Sequence, residues 1–292
     1  MVSGRLRRMV KFIRRNIQMN KFRIKLQLSA GYYLRFDHLA KLLSYMANES
    51  FNSTLTCEGL SQKMGMSPKM IDNLSSYSVA LGLKKEGKFK LEEMGELISK
   101  QDPFFQKKET LWFLHYFLVS NKKYVVWNRL VNVIFYNETE VTVKKAIPYF
   151  QDLVGDFTEK SLKRNVPKEL NAFFNAYTEQ NFNKLKYIIK TANNSYIINN
   201  DFEVPDMCIL ASCYLYRDRY IRGATGIEIE HLIKEQNSPG RVFHVSEHQL
   251  RLSLERLHTE RRISIESRAN LDQIRFRSNE YWLDIVKQFY EG

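Results

Sequence analysis

The segment Thr54–Leu97 constrains the fold more tightly than any other stretch, because it sets helix start and stop signals at short intervals. Thr56 can cap a helix over Cys57–Met64, with Leu60 and Met64 four residues apart on one face. Gly65 stops it, since a residue without Cβ adopts the left-handed conformation cheaply. Ser67 and Pro68 open a second helix that reaches about Leu81, with Met70, Ile71, Leu74, Tyr77 and Val79 among its larger side chains. Gly82 ends it, and Leu83–Leu91 predicts two short strands around a glycine turn. Such a unit, a winged helix-turn-helix, lays its second helix in a DNA major groove while a basic wing touches phosphates. Its candidate contacts are Lys63, Lys69, Asn73, Lys84, Lys85 and Lys88, with Lys69 and Asn73 on the recognition helix.

The rest of the chain should be mainly α. It has 12 Gly and 6 Pro in 292 residues, few for an all-β protein with many tight turns. Hydrophobic residues at 44% and aromatics at 13% exclude wholesale disorder. The formal charge is +13, and ten cations (Arg5, Arg7, Arg8, Lys11, Arg14, Arg15, Lys21, Arg23, Lys25 and Arg35) precede the first acid, Asp37. Residues 1–27 therefore read as a basic arm, either a polyanion contact or a solvated leader. No apolar run follows these arginines as in a signal peptide, and none is long enough to span a membrane. Cys57, Cys208 and Cys213 lack both disulfide-framework and zinc spacing, which suits buried thiols in a reducing cytoplasm.

Tyr32–Ala47 predicts a leading helix, so that residues 28–102 form the first winged unit. A helical middle domain, 103–222, follows. Glu109–Asn121 and Tyr124–Asn137 are aromatic helices whose Trp112, Phe113, Tyr116, Phe117, Trp127, Val131 and Phe135 read as core in preference to a base-stacking platform. Thr142–Asp152, Pro167–Gln180 and Cys208–Arg219 add helices. Glu159–Lys168, with Lys160, Lys163, Arg164 and Lys168, is a polar connector, either a phosphate contact or a solvated loop. From 223 onward the opening pattern recurs as a second winged-helix-like domain, 223–292. Thr225–Gln236 reads as helical, and Ser246 with Gln249 fits a capping box. Ile263–Ser267 and Gln273–Arg277 alternate as a hairpin, and Glu280–Tyr290 closes the chain as a helix. Its candidate DNA contacts are Arg251, Arg261, Arg262, Arg275 and Arg277, with Arg256 and Arg268 beside them; positions 251 and 256 cannot share one helix face. This second unit is read equally well as an oligomerisation module.

The middle motif Glu109–Ser120, followed by Val126–Asn132, resembles a bacterial family catalogued as domain of unknown function four-thousand-and-seven, with its T-L-W-x-L-H-aromatic-x-L run and a tryptophan-bearing helix ending in Asn. Ala80–Leu83, Phe89–Leu91, Met94–Leu97 and Asp102-Pro103 are similar too, so the resemblance spans roughly 28 to 290. Of the family's opening G-H-x-T-F-x-x-R pattern, Tyr32 and Arg35 match, whereas Ser29 stands in place of the histidine. The resemblance implies operons of DNA sulfur modification (phosphorothioation) and phage defence, and hence a DNA-handling subunit; one member class nicks DNA.

Residue chemistry alone names no catalytic group. His115 reads as a hydrogen-bonded core histidine more readily than a functional one, and His244 and His248 make a weak metal pair. Glu228 with Glu230, and Glu203, Asp206 and Asp218, show no nuclease spacing, and no phosphate-binding loop is present. The expectation is therefore a DNA-binding component of a modification or defence complex, with duplex DNA and other subunits as partners, and a homodimer as one possible assembly. It needs no cofactor and no metal. The alternatives are a nicking endonuclease requiring Mg²⁺ or Mn²⁺, and a non-enzymatic scaffold whose winged units bind partner subunits.

Overall fold

Capping side chains decide where the first helices begin. α1 (Phe36–Ala47), α2 (Cys57–Met64), α3 (Pro68–Ala80) and α4 (Glu93–Gln101) follow in order. The Thr56 hydroxyl accepts from the Gly59 N–H at 3.1 Å, and the Ser67 hydroxyl from the Met70 N–H at 3.3 Å. Each cap contributes about 1 kcal/mol. Gly65 closes α2 at φ +67°. The spans of α2 and α3 agree closely with the sequence reading, whereas α1 starts at Phe36, four residues after the expected Tyr32. The computed structural model describes residues 24–48, 55–268, 271–277 and 279–291, so of the ten cations before Asp37 only Lys25 and Arg35 fall inside it, and the rest of the basic arm lies outside the described residues.

Between α3 and α4 the expected pair of strands reduces to one isolated bridge, Lys84 with Leu91, beside a turn at Gly87. Helix α4 seats Gly95 so close to this turn that a Cβ would lie 2.0 Å from the Leu83 carbonyl oxygen.

The aromatic segment forms α5 (Lys108–Val119) and α6 (125–137), which runs as Val125–Arg129, a π-helical turn Leu130–Ile134, and Phe135–Asn137. Its large side chains are core, with Trp112 and Trp127 each 1% exposed. The wide turn lets Asn132 work at both ends. Its amide donates to the Val119 and Asn128 carbonyls, while its oxygen accepts from the Asn237 N–H at 2.7 Å. Tyr116 donates to the Asn237 carbonyl at 2.8 Å. The aromatic motif thereby clasps the buried turn that leads into the C-terminal portion.

After α7 (Val143–Ala146) and a 3₁₀ turn (Ile147–Leu153) comes α8 (Glu159–Thr178), the longest helix described. It begins eight residues before the expected start at Pro167 and absorbs the segment read as a connector. An interior proline costs about 3 kcal/mol; the buried Leu162, Val166, Leu170, Phe173, Phe174 and Tyr177 offset it. A hairpin of β1 (Ile188–Lys190) and β2 (Tyr196–Ile198), which the sequence did not suggest, follows.

Helix α9 (Asp206–Tyr220) crosses to the C-terminal portion: β3 (Gly226–Glu228), α10 (Ile229–Lys234), α11 (Pro239–Phe243), α12 (Glu247–Thr259), β4 (Ile263–Arg268), β5 (Leu271–Phe276) and α13 (Trp282–Glu291). The three strands form an antiparallel sheet ordered β3-β5-β4, with Ile227 and Ile265 both opposite Ile274. Thr225–Gln236, read as one helix, therefore opens as a strand, because its first residues hydrogen-bond along β5. The expected capping box at Ser246 and Gln249 is present. Helix α13 packs Trp282 on Phe117 and Phe289 on Phe113, joining one hydrophobic core that runs through the described residues. The described residues are mainly helical with two small antiparallel sheets, and no described helix is long and apolar enough to cross a membrane.

Candidate nucleic-acid interface

On α3 the exposed positions are Pro68, Lys69, Asp72 and Ser76, and Lys63 is exposed at the end of α2. The Lys69 ammonium sits 5.8 Å from the Tyr32 ring centroid. Asn73, one helical turn beyond Lys69, does not share that exposure. It is 4% exposed, and its amide donates to the carbonyls of Leu28 and Ser29. Tyr77 donates to the Tyr32 carbonyl at 3.1 Å. Residues 28–32 thus lie across the side of α3 that carries Asn73 and Tyr77, which withdraws Asn73 from the DNA-contact set.

The same strap is pinned from below. Glu169 of α8 is 1% exposed and accepts from the Ser29 N–H at 2.8 Å, the Ser29 hydroxyl at 2.7 Å and the Trp127 indole N–H at 3.2 Å. Burial raises the pKa of this carboxyl, against the lowering effect of those donors. Ser29, where the chain departs from the family's opening pattern, is thus a structural anchor. Sequence reasoning missed Glu169 because its partners lie 42 and 140 residues away.

The turn after α3 is folded back on the molecule. Lys84 is 3% exposed; its ammonium donates to the Lys85 carbonyl at 2.8 Å and lies 5.0 Å from the Phe89 centroid, and burial lowers its pKa. Lys84 therefore leaves the phosphate-contact set as well. Glu86 holds the turn down through Lys123 at 2.9 Å and Lys25 at 3.3 Å. Lys85 is half-buried and Lys88 exposed.

The C-terminal arginines divide by partner. Arg251 pairs with Glu255 at 3.3 Å and with Asp272, Arg256 with Asp206 at 2.6 Å, and Arg275 with Glu266 at 2.6 Å. Arg251 and Arg256 thus face different elements, as their spacing on α12 requires. The Arg256 and Arg275 pairs are neutral as units and the Arg251 cluster, with two carboxylates, is net negative, so a phosphate would have to displace acids before it could bind these arginines. Arg262 instead donates to Gln288 at 2.7 Å, and Arg277 to the Ile263 carbonyl at 3.1 Å and the Ser264 hydroxyl at 3.0 Å. Arg261 is exposed at φ +60°, just past the end of α12. Arg261, Arg262 and Arg277 therefore keep their net charge.

His115 is fully buried. Its Nε2 faces the Val242 carbonyl at 3.3 Å, its Nδ1 faces the Tyr177 hydroxyl, and burial pushes it down to about 3. It is a core histidine. His244 and His248 do not form the helical pair considered from the sequence, because His244 lies before α12 in a left-handed conformation, bonded to the Val131 carbonyl at 2.9 Å. Burial pushes His244 down to about 4. Cys208 and Cys213 are buried free thiols. Among the described residues no three His, Cys, Asp or Glu side chains come together as a metal site.

Comparison with known proteins places this architecture. The profile described as protein of unknown function DUF4007 matches residues 30–290. Two crystal structures of SspB, one of them magnesium ion-bound, are similar with a TM-score of 0.73 at 15% identity, covering 89% of this chain and 86% of that one. At that identity the likeness is one of fold. No curated protein matches the sequence.

Proposed function

The chain belongs to the DUF4007 family, and from that premise we propose that it is a DNA-binding component of a bacterial DNA sulfur-modification (phosphorothioation) and phage-defence system. We read residues 28–102 as a winged helix-turn-helix, 103–222 as a helical middle domain and 223–292 as a second winged unit with β4 and β5 as its wing. The observation that carries the reading is the capped α2–α3 pair, which offers Lys63 and Lys69 to solvent with Lys88 beyond it. Lys85, Arg261, Arg262 and Arg277 complete the contact set, and Arg251 and Arg275 join it where DNA displaces their acids. With Asn73 covered, the set holds no side chain suited to bidentate adenine recognition. These cations position the protein on phosphates and give sequence-tolerant binding. The operon setting implied by the family resemblance supplies the partners, namely other subunits of the modification complex, in the cytoplasm.

The test is fluorescence anisotropy of a labelled duplex. Lys63→Ala with Lys69→Ala should weaken binding equally across unrelated sequences and make the log–log salt slope shallower by about 1.8, at about 0.9 per phosphate contact. Unchanged affinity and slope would remove α2 and α3 from the interface.

A second reading, a metal-dependent nickase, is favoured by the magnesium-bound state of the similar SspB structure. The described residues do not fit a preformed cage of three protein ligands, so no catalytic step is assigned through a metal. Incubating supercoiled plasmid with the protein, with and without Mg²⁺ or Mn²⁺, decides: metal-dependent relaxed circles support the nickase.

A further inference from the structure

The outer face of α8 carries Lys160, Arg164 and Lys168 at successive intervals of four residues, all exposed. On a helix rising 1.5 Å per residue these cations stand about 6 Å apart along the axis and span about 12 Å. No acid pairs with any of the three among the described residues. Glu159 is taken by Lys163 at 3.4 Å, and Glu169 is turned into the core. This contrasts with α12, where Arg251 and Arg256 each meet a carboxylate. The ridge also runs against the local preference of the helix. Lys160 lies in the first turn, beside the positive end of the helix dipole, where a cation is destabilising by some 0.3–1 kcal/mol. The acid of that turn, Glu159, is engaged by Lys163, so the placement of Lys160 is not one the helix favours by itself. The ridge is rigid as well: the opposite face of α8 buries Leu162, Val166, Leu170 and Phe173, and Asn165, 3% exposed, accepts from the Arg164 Nε at 3.2 Å while donating to Ser161 at 3.0 Å.

We propose that Lys160, Arg164 and Lys168 form a phosphate-binding ridge that lies along one strand of duplex DNA, outside both winged units. A 12 Å ridge faces roughly three to four phosphates of one strand, at about 3.4 Å of duplex axis per phosphate. The helix that carries the cations is fixed before binding, and Arg164 is held by Asn165, whereas the lysine side chains are ordered only on contact. The ridge rests on the reading of the chain as a DNA-binding protein and adds a third contact region to it.

The experiment measures binding of the full chain to a labelled 30-base-pair duplex between 50 and 200 mM NaCl, for the parent and for Lys160→Gln/Arg164→Gln/Lys168→Gln. Glutamine keeps helix propensity, and matched circular dichroism melts verify folding. The ridge predicts a log–log slope shallower by about 2.7 in the variant, so that a fourfold rise in salt weakens its binding about 40-fold less than the parent's. The control Lys163→Gln/Lys234→Gln removes two cations already paired with Glu159 and Glu230, and its slope should match the parent's. A triple variant with the parental slope overturns the ridge while leaving DNA binding standing. A parent that binds no duplex at 50 mM NaCl overturns both. Tighter binding of the parent to an RNA duplex of the same length, lost in the variant, overturns the assignment to DNA.

Discussion

Lowering the pH from 7.5 to 5 should destabilise this protein through the fully buried His115 and, less strongly, through the partly buried His244. His115 is sealed among aromatic rings, 5.5 Å from Trp112 and 4.7 Å from Tyr187 between centroids. Burial holds it neutral down to about 3, and His244 down to about 4. In the unfolded chain both should titrate near 6.5. A histidine with a depressed folded pKa contributes stability that is full above 6.5 and is lost as the pH falls toward its folded value. Between pH 6.5 and 5 a fully sealed imidazole costs about 2 kcal/mol, at 1.36 kcal/mol per pH unit. His115 alone thus removes about 2 kcal/mol, a large share of a typical 5–15 kcal/mol stability, and solvent reaching the partly exposed His244 makes its share smaller. Glu169 acts in the opposite sense, since its raised pKa favours the folded state as the pH falls toward the ordinary carboxylate value. Comparison with a variant isolates His115. His115→Gln keeps a donor for the Val242 carbonyl and removes the titration. Urea titrations at four pH values, followed by tryptophan fluorescence, should show the variant losing about 2 kcal/mol less than the parent between pH 7.5 and 5. Identical pH dependence would refute the placement of a neutral, sealed imidazole at position 115.

Glu169→Ala orphans the Ser29 N–H, the Ser29 hydroxyl and the Trp127 indole N–H; at about 1–3 kcal/mol per buried donor, the loss is at least about 3 kcal/mol and should appear as a lower melting temperature by circular dichroism. A melt within 1 °C or so of the parent would show that the strap is not held there. Gly95→Ala places a Cβ against the Leu83 carbonyl and should cost about 1–3 kcal/mol despite alanine's better helix propensity, measured by urea unfolding; a stabilised variant would contradict the close approach. Burial and the Asp72 hydrogen bond push the Cys57 thiol up to about 11, so Asp72→Asn should speed its reaction with a thiol reagent at pH 8; an unchanged rate would detach Asp72 from the thiol.

What the sequence disclosed and what it concealed follow from the range of the interactions involved. Caps and stops act over three or four residues, so Thr56, Gly65, Ser67 and Ser246 located α2, α3 and α12 closely. The aromatic core was legible for the same reason, since helical spacing puts Trp112, Tyr116 and Trp127 on inward faces. The connector reading of Glu159–Lys168 failed because Pro167 is a local helix-stop signal, and burial of a long apolar face overrides it. Position alone suggested that Asn73 and Lys84 are contacts, but a residue's place on a helix or turn does not reveal which other segment covers it. Asn73 lies under residues 28–32, and Lys84 packs on Phe89. Acids distant in sequence likewise neutralise Arg251 and Arg256. The Lys160, Arg164 and Lys168 spacing was visible, yet it becomes a ridge only once the segment is helical.

The salt dependence of duplex binding by the full chain bears most directly on the account. Anisotropy with a 30-base-pair DNA should give a linear fall of log affinity with log salt, with a slope of about −4.5 or steeper, as expected for five or more phosphate contacts at about 0.9 each, and with little dependence on duplex sequence. No binding at 50 mM NaCl, or binding insensitive to salt, would contradict it.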